Sequence, residues 1–299
     1  MRLRYILTVF ILFSAAYSGV AQQQINFSQY MFNLSTINPG YIGKHEALSV
    51  TAVSRWQWTG IEGAPKTQAL IFHSPITVPN AGLGFQFVRD EIGVTSNSNI
   101  IFGGSYEIKL GSGYLSMGLQ GGLQIFSNNL QDAYVLQSSQ NDFAEGFTRL
   151  VPTVGYGFYY YTHDFYAGIS SPFALQNSIE MDGVVQYTQR QHYYGTVGAN
   201  LRVSPEIKIV PNVLVRAVDG APLTLDYNVY FTYEDILEAG LSYRPPESVS
   251  LLFQVRFHSN FRFGYAYDYV INSTLGRVTN STHEISINYR LKLILEKFH

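Results

Sequence analysis

Seven histidines, at positions 45, 73, 163, 192, 258, 283 and 299, are the first residues to ask for catalysis or metal binding. None has the H-E-x-x-H spacing that sets two imidazoles on one helical face around zinc, and no G-x-S-x-G provides a nucleophile elbow. The chain has no cysteine, which removes disulfides, thiolate metal sites, a cysteine nucleophile and a lipid-modified N-terminal cysteine. His283-Glu284 has the composition of a proton-transfer pair. On a strand, however, adjacent side chains point to opposite faces, so the two do not act together. A hydrolase reading would need a constellation around Ser171 or His192 that does not assemble on one face. Gly103-Gly104 and Gly121-Gly122 fall inside expected strands, where they relieve crowding or bend a wall rather than cradle phosphate. No metal or cofactor is implied, beyond a chance ion on loop carboxylates such as Asp142 and Glu145, and the chain reads as a non-enzyme.

The remaining chemistry lies in charges set on the polar side of alternating segments: Arg202, Asp226, Arg256, Arg262, Asp268, Glu284 and Arg290. On the inner face of a closed wall they line a lumen. There they either form a selective constriction or pair with each other across it, and pairing is the preferred reading.

The elements that hold these charges are strands. Between Phe261 and Tyr269 one parity reads Phe261, Phe263, Tyr265, Tyr267, Tyr269, and the other Arg262, Gly264, Ala266, Asp268. That is period two with one dry face. Val249 to Phe257 and Ile285 to Leu293 repeat it. Fourteen segments follow between turn signals: 46–57, 66–74, 81–90, 95–109, 113–126, 149–162, 165–172, 190–203, 206–216, 222–233, 235–244, 248–258, 260–271 and 282–293. The expected fold is all-β, an up-and-down transmembrane antiparallel barrel of about 14 strands, an even number as single-chain bacterial barrels have. Shifting the last two strands by one residue would turn Arg262, Asp268, Glu284, Arg290 and Lys292 to lipid, where a midplane Arg or Lys costs about 2–4 kcal/mol. The aromatic parity therefore faces outward.

Composition separates this barrel from a soluble sandwich. Only 13% of residues are charged while 15% are aromatic, including 23 Tyr and 20 Phe. That is too little charge for a water-facing exterior, and it leaves no clustered basic stripe for nucleic acid. Arg2 and Arg4, an apolar run from Tyr5 to Ala16 and small residues at Gly19 and Ala21 have the order of a cleavable secretory signal spanning 1–21. Its removal takes the formal net charge from −2 to about −4 through loss of the two arginines. Residues 22–45 show neither strand alternation nor a helical stripe and read as a periplasmic or lumen-plugging segment, or a loosely packed extension, ahead of a barrel over 46–299.

Connection lengths set the orientation, because outer-membrane barrels pair short periplasmic turns with longer external loops. With the N-terminus periplasmic, the long connections Thr59–Pro65, Ser127–Thr148, Pro172–Gln189 and Asn272–Ser281 all fall outside. Tyr159 to Tyr161, Tyr193, Tyr194, Tyr227 and Tyr230 suit interfacial girdles, although adjacent members must face opposite sides. Pro211 lacks a ladder donor and predicts a bulge or a strand break.

Four stretches carry a resemblance. They are Phe27-Ser28-Gln29-Tyr30-Met31-Phe32-Asn33 followed by Asn38-Pro39-Gly40-Tyr41-Ile42-Gly43; Arg55-Trp56-Gln57-Trp58 with Gly63-Ala64-Pro65-Lys66-Thr67; Gly82-Leu83-Gly84 with Asp90-Glu91-Ile92-Gly93; and Thr282-His283-Glu284-Ile285. In this order they resemble the PorP/SprF family of outer-membrane proteins of the Bacteroidetes type IX secretion and gliding machinery, with Gly40 and Ile42 in place of the family's usual alanines. The resemblance makes Ser28, Gln29, Tyr30, Phe32, Asn33, Asn38, Pro39, Trp58, Pro65, His283 and Glu284 the family-motif residues. It implies a non-enzymatic docking or anchoring barrel in the Gram-negative outer membrane, reached by signal-peptide export. The implied partners are outer-membrane lipid, a secreted cargo or adhesin with a C-terminal sorting domain, and periplasmic components of the apparatus, with no nucleic acid. A porin-like diffusion channel is the alternative, since a barrel of about 14 strands is wider than one that side chains fill and narrower than an open porin.

Overall fold

A computed structural model describes residues 26–44, 47–129, 146–181, 184–219, 221–272, 274–279 and 281–293. The expected signal over 1–21, and the interior of the Ser127–Thr148 connection with Asp142 and Glu145, lie outside the described residues. The strands are β1 (Ala47–Trp56), β2 (Lys66–Pro75), β3 (Ala81–Ile92), β4 (Thr95–Leu110), β5 (Gly113–Asn128), β6 (Phe147–Tyr161), β7 (Phe165–Phe173), β8 (Asn177–Met181), β9 (Val184–Gln189), β10 (His192–Ala199), β11 (Leu201–Arg202), β12 (Ile207–Val218), β13 (Thr224–Tyr233), β14 (Leu237–Arg244), β15 (Ser248–Arg256), β16 (Phe261–Val270) and β17 (Ser281–Lys292).

Sequence neighbours pair antiparallel around the whole circuit. β10 bridges to β12, and β1 pairs with β17 over ten residues from Ala47 opposite Lys292 to Trp56 opposite His283. The result is a closed 14-stranded up-and-down barrel, with β8–β9 standing apart as a two-stranded ribbon and β11 continuing β10. Closure removes the two outer edges an open sheet would have from the barrel wall, which is what hydrocarbon demands of a backbone that has no water to bond.

The side chains sort as the alternation requires. On β5, Ser116, Gln120 and Gln124 are buried inside while Met117, Leu119 and Leu123 are exposed outside, Leu119 at 71%. On β17 the inner face carries Thr282, Glu284, Ser286 and Asn288, and the outer face Ile285, Ile287, Tyr289 and Leu291. An outer surface this apolar is a liability in water and suits a bilayer. Exposed aromatics ring both ends: Trp56, Tyr193, Tyr243 and Tyr269 near the long-loop rim, and Tyr106, Tyr114, Phe165, Tyr233 and Phe261 near the short-turn rim. Amphipathic rings settle at those two headgroup levels.

Three expectations need correction. The Pro172–Gln189 connection is not plain loop, because Asn177–Met181 and Val184–Gln189 pair as the ribbon. Pro211 neither bulges nor breaks its own strand; β12 runs through it in unbroken register, Pro211 opposite Val229. The missing donor acts on the other side, where the pairing to β12 lapses between Gly198–Asn212 and Leu201–Ile209, splitting the expected 190–203 strand into β10 and β11. Finally, the tyrosines divide: Tyr159 and Tyr194 are buried inside with Tyr166, while Tyr193 and Tyr227 are exposed outside.

Leu119→Arg, near the middle of β5 on the outer face, is expected to cost about 2–4 kcal/mol. A urea titration of the barrel refolded in lipid reads that loss, and an unchanged midpoint would place this face away from hydrocarbon.

Candidate functional site

The lumen is occupied by residues 26–44. Their composition explains their form. Three one-turn 3-10 segments, Tyr30–Phe32, Leu34–Thr36 and Pro39–Tyr41, fold the chain compactly. Asn38 caps the last of them, its Oδ1 accepting from the Gly40 N–H at 2.8 Å, with Pro39 at the first position where a missing N–H costs nothing. Tyr30, Met31, Leu34, Tyr41 and Ile42 are buried within the barrel. Phe32 packs edge-on against Tyr230, ring centroids 5.4 Å apart, and Tyr41 does the same against Tyr159 at 5.2 Å.

The first anchor is ionic and sits at the seam where the chain's two ends close the barrel. Arg55 lies directly opposite Glu284 in the β1–β17 ladder, and Glu284 is opposite Ala266 in β16, so Asp268 is its diagonal neighbour. Arg55 donates to Asp268 Oδ2 at 2.8 Å and to Glu284 Oε2 at 3.1 Å, and all three side chains are almost wholly buried. The plug completes this cluster. The backbone N–H of Ser28 donates to Glu284 Oε2 at 2.8 Å and that of Gln29 to Oε1 at 2.9 Å. Ser28 Oγ donates to Asp268 Oδ2 at 2.6 Å while accepting from Arg55 at 2.7 Å. Gln29 Oε1 accepts from Ser286 Oγ at 3.0 Å. Two carboxylates with one guanidinium leave a surplus negative charge in a dry site, and the two amide dipoles offset it.

A second anchor holds Tyr30. Its hydroxyl accepts from Asn228 Nδ2 at 2.6 Å and lies 3.3 Å from Asn212 Oδ1. Behind it Asp226 is clamped by Arg244, at 2.9 and 3.1 Å, and by Arg216 at 2.8 Å. The third anchor is steric. Asn38 Nδ2 donates to the Phe158 carbonyl at 3.0 Å. A Cβ at Gly118 would come within 2.2 Å of the Pro39 carbonyl carbon, and one at Gly157 within 2.1 Å of Asn38 Oδ1, so the wall needs glycine where the plug touches it. The exit is pinned by Lys44, which bonds Glu107 and lies 3.3 Å from the Tyr161 hydroxyl. Burial lowers the Lys44 pKa from its ordinary value, and the bond to Glu107 opposes that shift.

The structure thus brings together motif residues that are far apart in sequence: Ser28, Gln29 and Glu284 in one network, Tyr30 in the second, Asn38 and Pro39 against the glycine wall. Phe32 and Asn33 lie inside the plug, with Asn33 Oδ1 accepting from Ser35 Oγ at 2.6 Å. Trp58 and Pro65 lie in the loop after β1. The Trp58 N–H donates to Thr282 Oγ1 at 3.1 Å, and the Pro65 carbonyl accepts from the Gln57 N–H at 3.0 Å. His283 faces out of the barrel, its Nδ1 2.7 Å from the Tyr265 hydroxyl, on the opposite side from Glu284.

Of the expected lumen charges, Asp226, Asp268 and Glu284 are inside and ion-paired, but to Arg216, Arg244 and Arg55. Arg202 is exposed at the rim beyond the β10 break, Nη2 3.3 Å from His163 Nε2. Arg256 stands opposite Arg262 as a like charge, and Arg290 lies half-buried opposite Ser49. Arg55, Arg216 and Arg244 were missed. Each sits in an expected strand, and carrying the inward parity through those strands would have turned all three to the lumen. Among the described residues no group of three or more His, Cys, Asp or Glu side chains could hold a metal ion. The chemistry available to the arrangement is holding: it fixes a segment inside a wall.

Glu284→Ala strands two plug amides, while Arg55 keeps its pair with Asp268. Leaving a buried donor unsatisfied costs about 1–3 kcal/mol, so a urea titration should show a lowered midpoint. A midpoint within error of the unmodified chain would mean that the seam cluster does not stabilise the barrel.

Comparison with known proteins agrees with this architecture. A family model described as "Type IX secretion system membrane protein PorP/SprF" matches residues 19–289. A search of curated proteins finds no match. Among solved structures, the chain is similar to the CymD monoaromatic hydrocarbon channel, at 13% identity over 94% of this chain and 96% of that one with a TM-score of 0.55. It is also similar to the Ralstonia pickettii toluene transporter TbuX, at 10% identity over 93% and 97% of the two chains with a TM-score of 0.51. At such identities the likeness speaks to the barrel fold alone. The family match spans most of the sequence, and the chain belongs to the PorP/SprF family of type IX secretion system membrane proteins.

Proposed function

We propose that this outer-membrane barrel is a non-enzymatic docking and anchoring element that binds a secreted surface protein through its C-terminal sorting domain and helps its export or retention. The observation that carries the reading is the filled lumen. Residues 26–44 are tied to the inner wall by the Glu284, Tyr30 and Asn38 contacts, so the interior is given to a bound segment of the chain itself rather than to a passage. That favours docking over the porin-like channel. A channel or transporter is what the two similar solved structures are named for, and at their level of identity the name does not transfer.

In this reading the cargo meets the long-loop end, on the Ser127–Thr148 connection and on the Pro172–Gln189 connection with its β8–β9 ribbon. Connections on a rigid wall can vary without disturbing it, which suits recognition. The short turns and the Lys44 end of the plug face the periplasm and components of the apparatus there, after export directed by residues 1–21. The protein's contribution is binding free energy, with energy for movement coming from other parts of the machinery.

Two measurements test this. In planar bilayers the purified chain should give no stable large conductance; a steady open current would favour the channel. Affinity capture from native membranes should recover a secreted protein bearing a C-terminal sorting domain. Excising 130–145 should abolish that recovery while the barrel stays folded, and undiminished recovery would overturn the loop assignment.

A further inference from the structure

Three motif residues, Trp58, Pro65 and His283, take no part in holding the plug, yet they meet outside the barrel. The loop between β1 and β2 folds back over the seam and closes a cleft of about 490 Å3 against the outer wall, within the roughly 300–1,000 Å3 of ligand clefts. Trp56, Tyr265, His283 and Ile285 line it from the outer faces of β1, β16 and β17, and Trp58 and Ile61 line it from the loop. The loop is firmly pinned. Across the seam the Trp58 N–H donates to Thr282 Oγ1 at 3.1 Å, the Thr59 N–H to the Ser281 carbonyl at 2.9 Å, and Thr279 Oγ1 to the Thr59 carbonyl at 3.0 Å. Pro65 is wholly buried where the loop returns, and the Gly63 carbonyl accepts from the Gly93 N–H at 2.9 Å. These bonds hold Trp58 at a φ of +49°, a left-handed conformation that a residue with a side chain keeps only when its surroundings impose it.

Position and charge restrict the occupant. On the outer wall beside the loop the rim rung reads Trp56, Lys66 and Glu91, the next Ser54, Gln68 and Arg89, and the third Ala52, Leu70 and Phe87. Two polar rungs followed by an apolar one put the cleft at the headgroup level of the leaflet on the long-loop side. Among the described residues Lys66 is the one Lys, Arg, Asp or Glu that lines it. Glu91 stands opposite Lys66 in the β2–β3 ladder but accepts from Arg89 Nε at 2.8 Å, and the Lys66 ammonium makes no ion pair among the described residues. A free anion would gain nothing from the aromatic and aliphatic walls. A neutral hydrocarbon would leave the ammonium without a counter-charge. The cleft is continuous with the lipid-facing wall, so an occupant with a charged head and an apolar tail reaches it sideways from the bilayer. We infer that the cleft binds an anionic, phosphate-bearing lipid of that leaflet, its phosphate at the Lys66 ammonium and an acyl chain along Ile61, Ile285 and the two tryptophan rings.

The chain has two tryptophans and both line this cleft, so its tryptophan emission reports on the site directly. The full chain is placed in phosphatidylcholine nanodiscs containing a lipid with brominated acyl chains, either phosphatidic acid or phosphatidylcholine, and quenching is compared at equal mole fraction. Brominated phosphatidic acid should occupy the cleft about fivefold more readily, the preference expected of one lysine beside an anionic lipid. Lys66→Gln should bring the two lipids to parity, and Lys66→Arg should keep the preference. Lys109→Gln makes the same charge change beside the short turn after β4 and should leave the preference intact. Inorganic phosphate should not relieve the quenching. Equal quenching by the two lipids in the unmodified chain, or a preference that survives Lys66→Gln, would overturn the assignment. So would relief by inorganic phosphate, which would show a free-anion site, and so would quenching by neither lipid, which would place the cleft out of reach of acyl chains.

Discussion

A backbone in hydrocarbon must satisfy every N–H and C=O from within the protein, and a sheet does this only by closing. Here closure depends on one seam, where β1 meets β17, and the same seam carries the buried Arg55–Glu284 pair with Asp268 alongside. Because Glu284 spends both its oxygens on the amides of Ser28 and Gln29, the first plug anchor is complete only where β17 has paired with β1. The last strand, arriving alone, would bury a carboxylate short of donors, and such a charge is strongly destabilising without partners.

This coupling explains why the inner wall is so varied along its circumference. Where the plug touches down there is glycine, as at Gly118 and Gly157, because Asn38 and Pro39 approach backbone to backbone. Where the plug needs direction there are carboxylates and carboxamides at fixed register positions. Where it turns there are tyrosine rings, buried but with hydroxyls available for bonding. The outer wall is uniform by comparison, since lipid asks only for apolar area in the middle and amphipathic rings at the rims. A functional surface confined to the interior and the loops follows from that division.

The outer wall is also the part legible in the sequence. Lipid rejects charge on one parity of each strand, so Phe261 to Tyr269 and Ile285 to Leu291 announced their facing without reference to any other strand, and the fourteen segments recur with ends shifted by a few residues. Inner contacts were less legible because they depend on closure. Nothing local to Arg55 says that Glu284, more than two hundred positions away, stands opposite it; only the circuit of β1 and β17 does. The expected lumen charges therefore included the acids, and Arg256, Arg262 and Arg290 on the inward parity, but not Arg55, Arg216 and Arg244, the bases that pair with those acids. Pro211 shows a related blind spot. Its missing donor was visible, but which neighbouring strand would lose the bond was not, and the break fell in β10–β11. The motif residues Ser28, Gln29, Asn38 and Pro39 were conspicuous as a pattern, while their role against a glycine wall required the wall.

The central claim is that residues 28–42 are a fixed part of the barrel interior. Amide hydrogen exchange of the full chain in a lipid bilayer tests it most directly, followed at Ser28, Gln29, Gly40 and Ile42, whose N–H groups bond Glu284, Asn38 Oδ1 and the Pro39 carbonyl. Protection of Ser28 and Gln29 comparable to that of the β1 and β17 amides, and lost on Glu284→Ala, is the predicted result. Exchange of these amides at the rate of an unstructured peptide while the strands remain protected would contradict it.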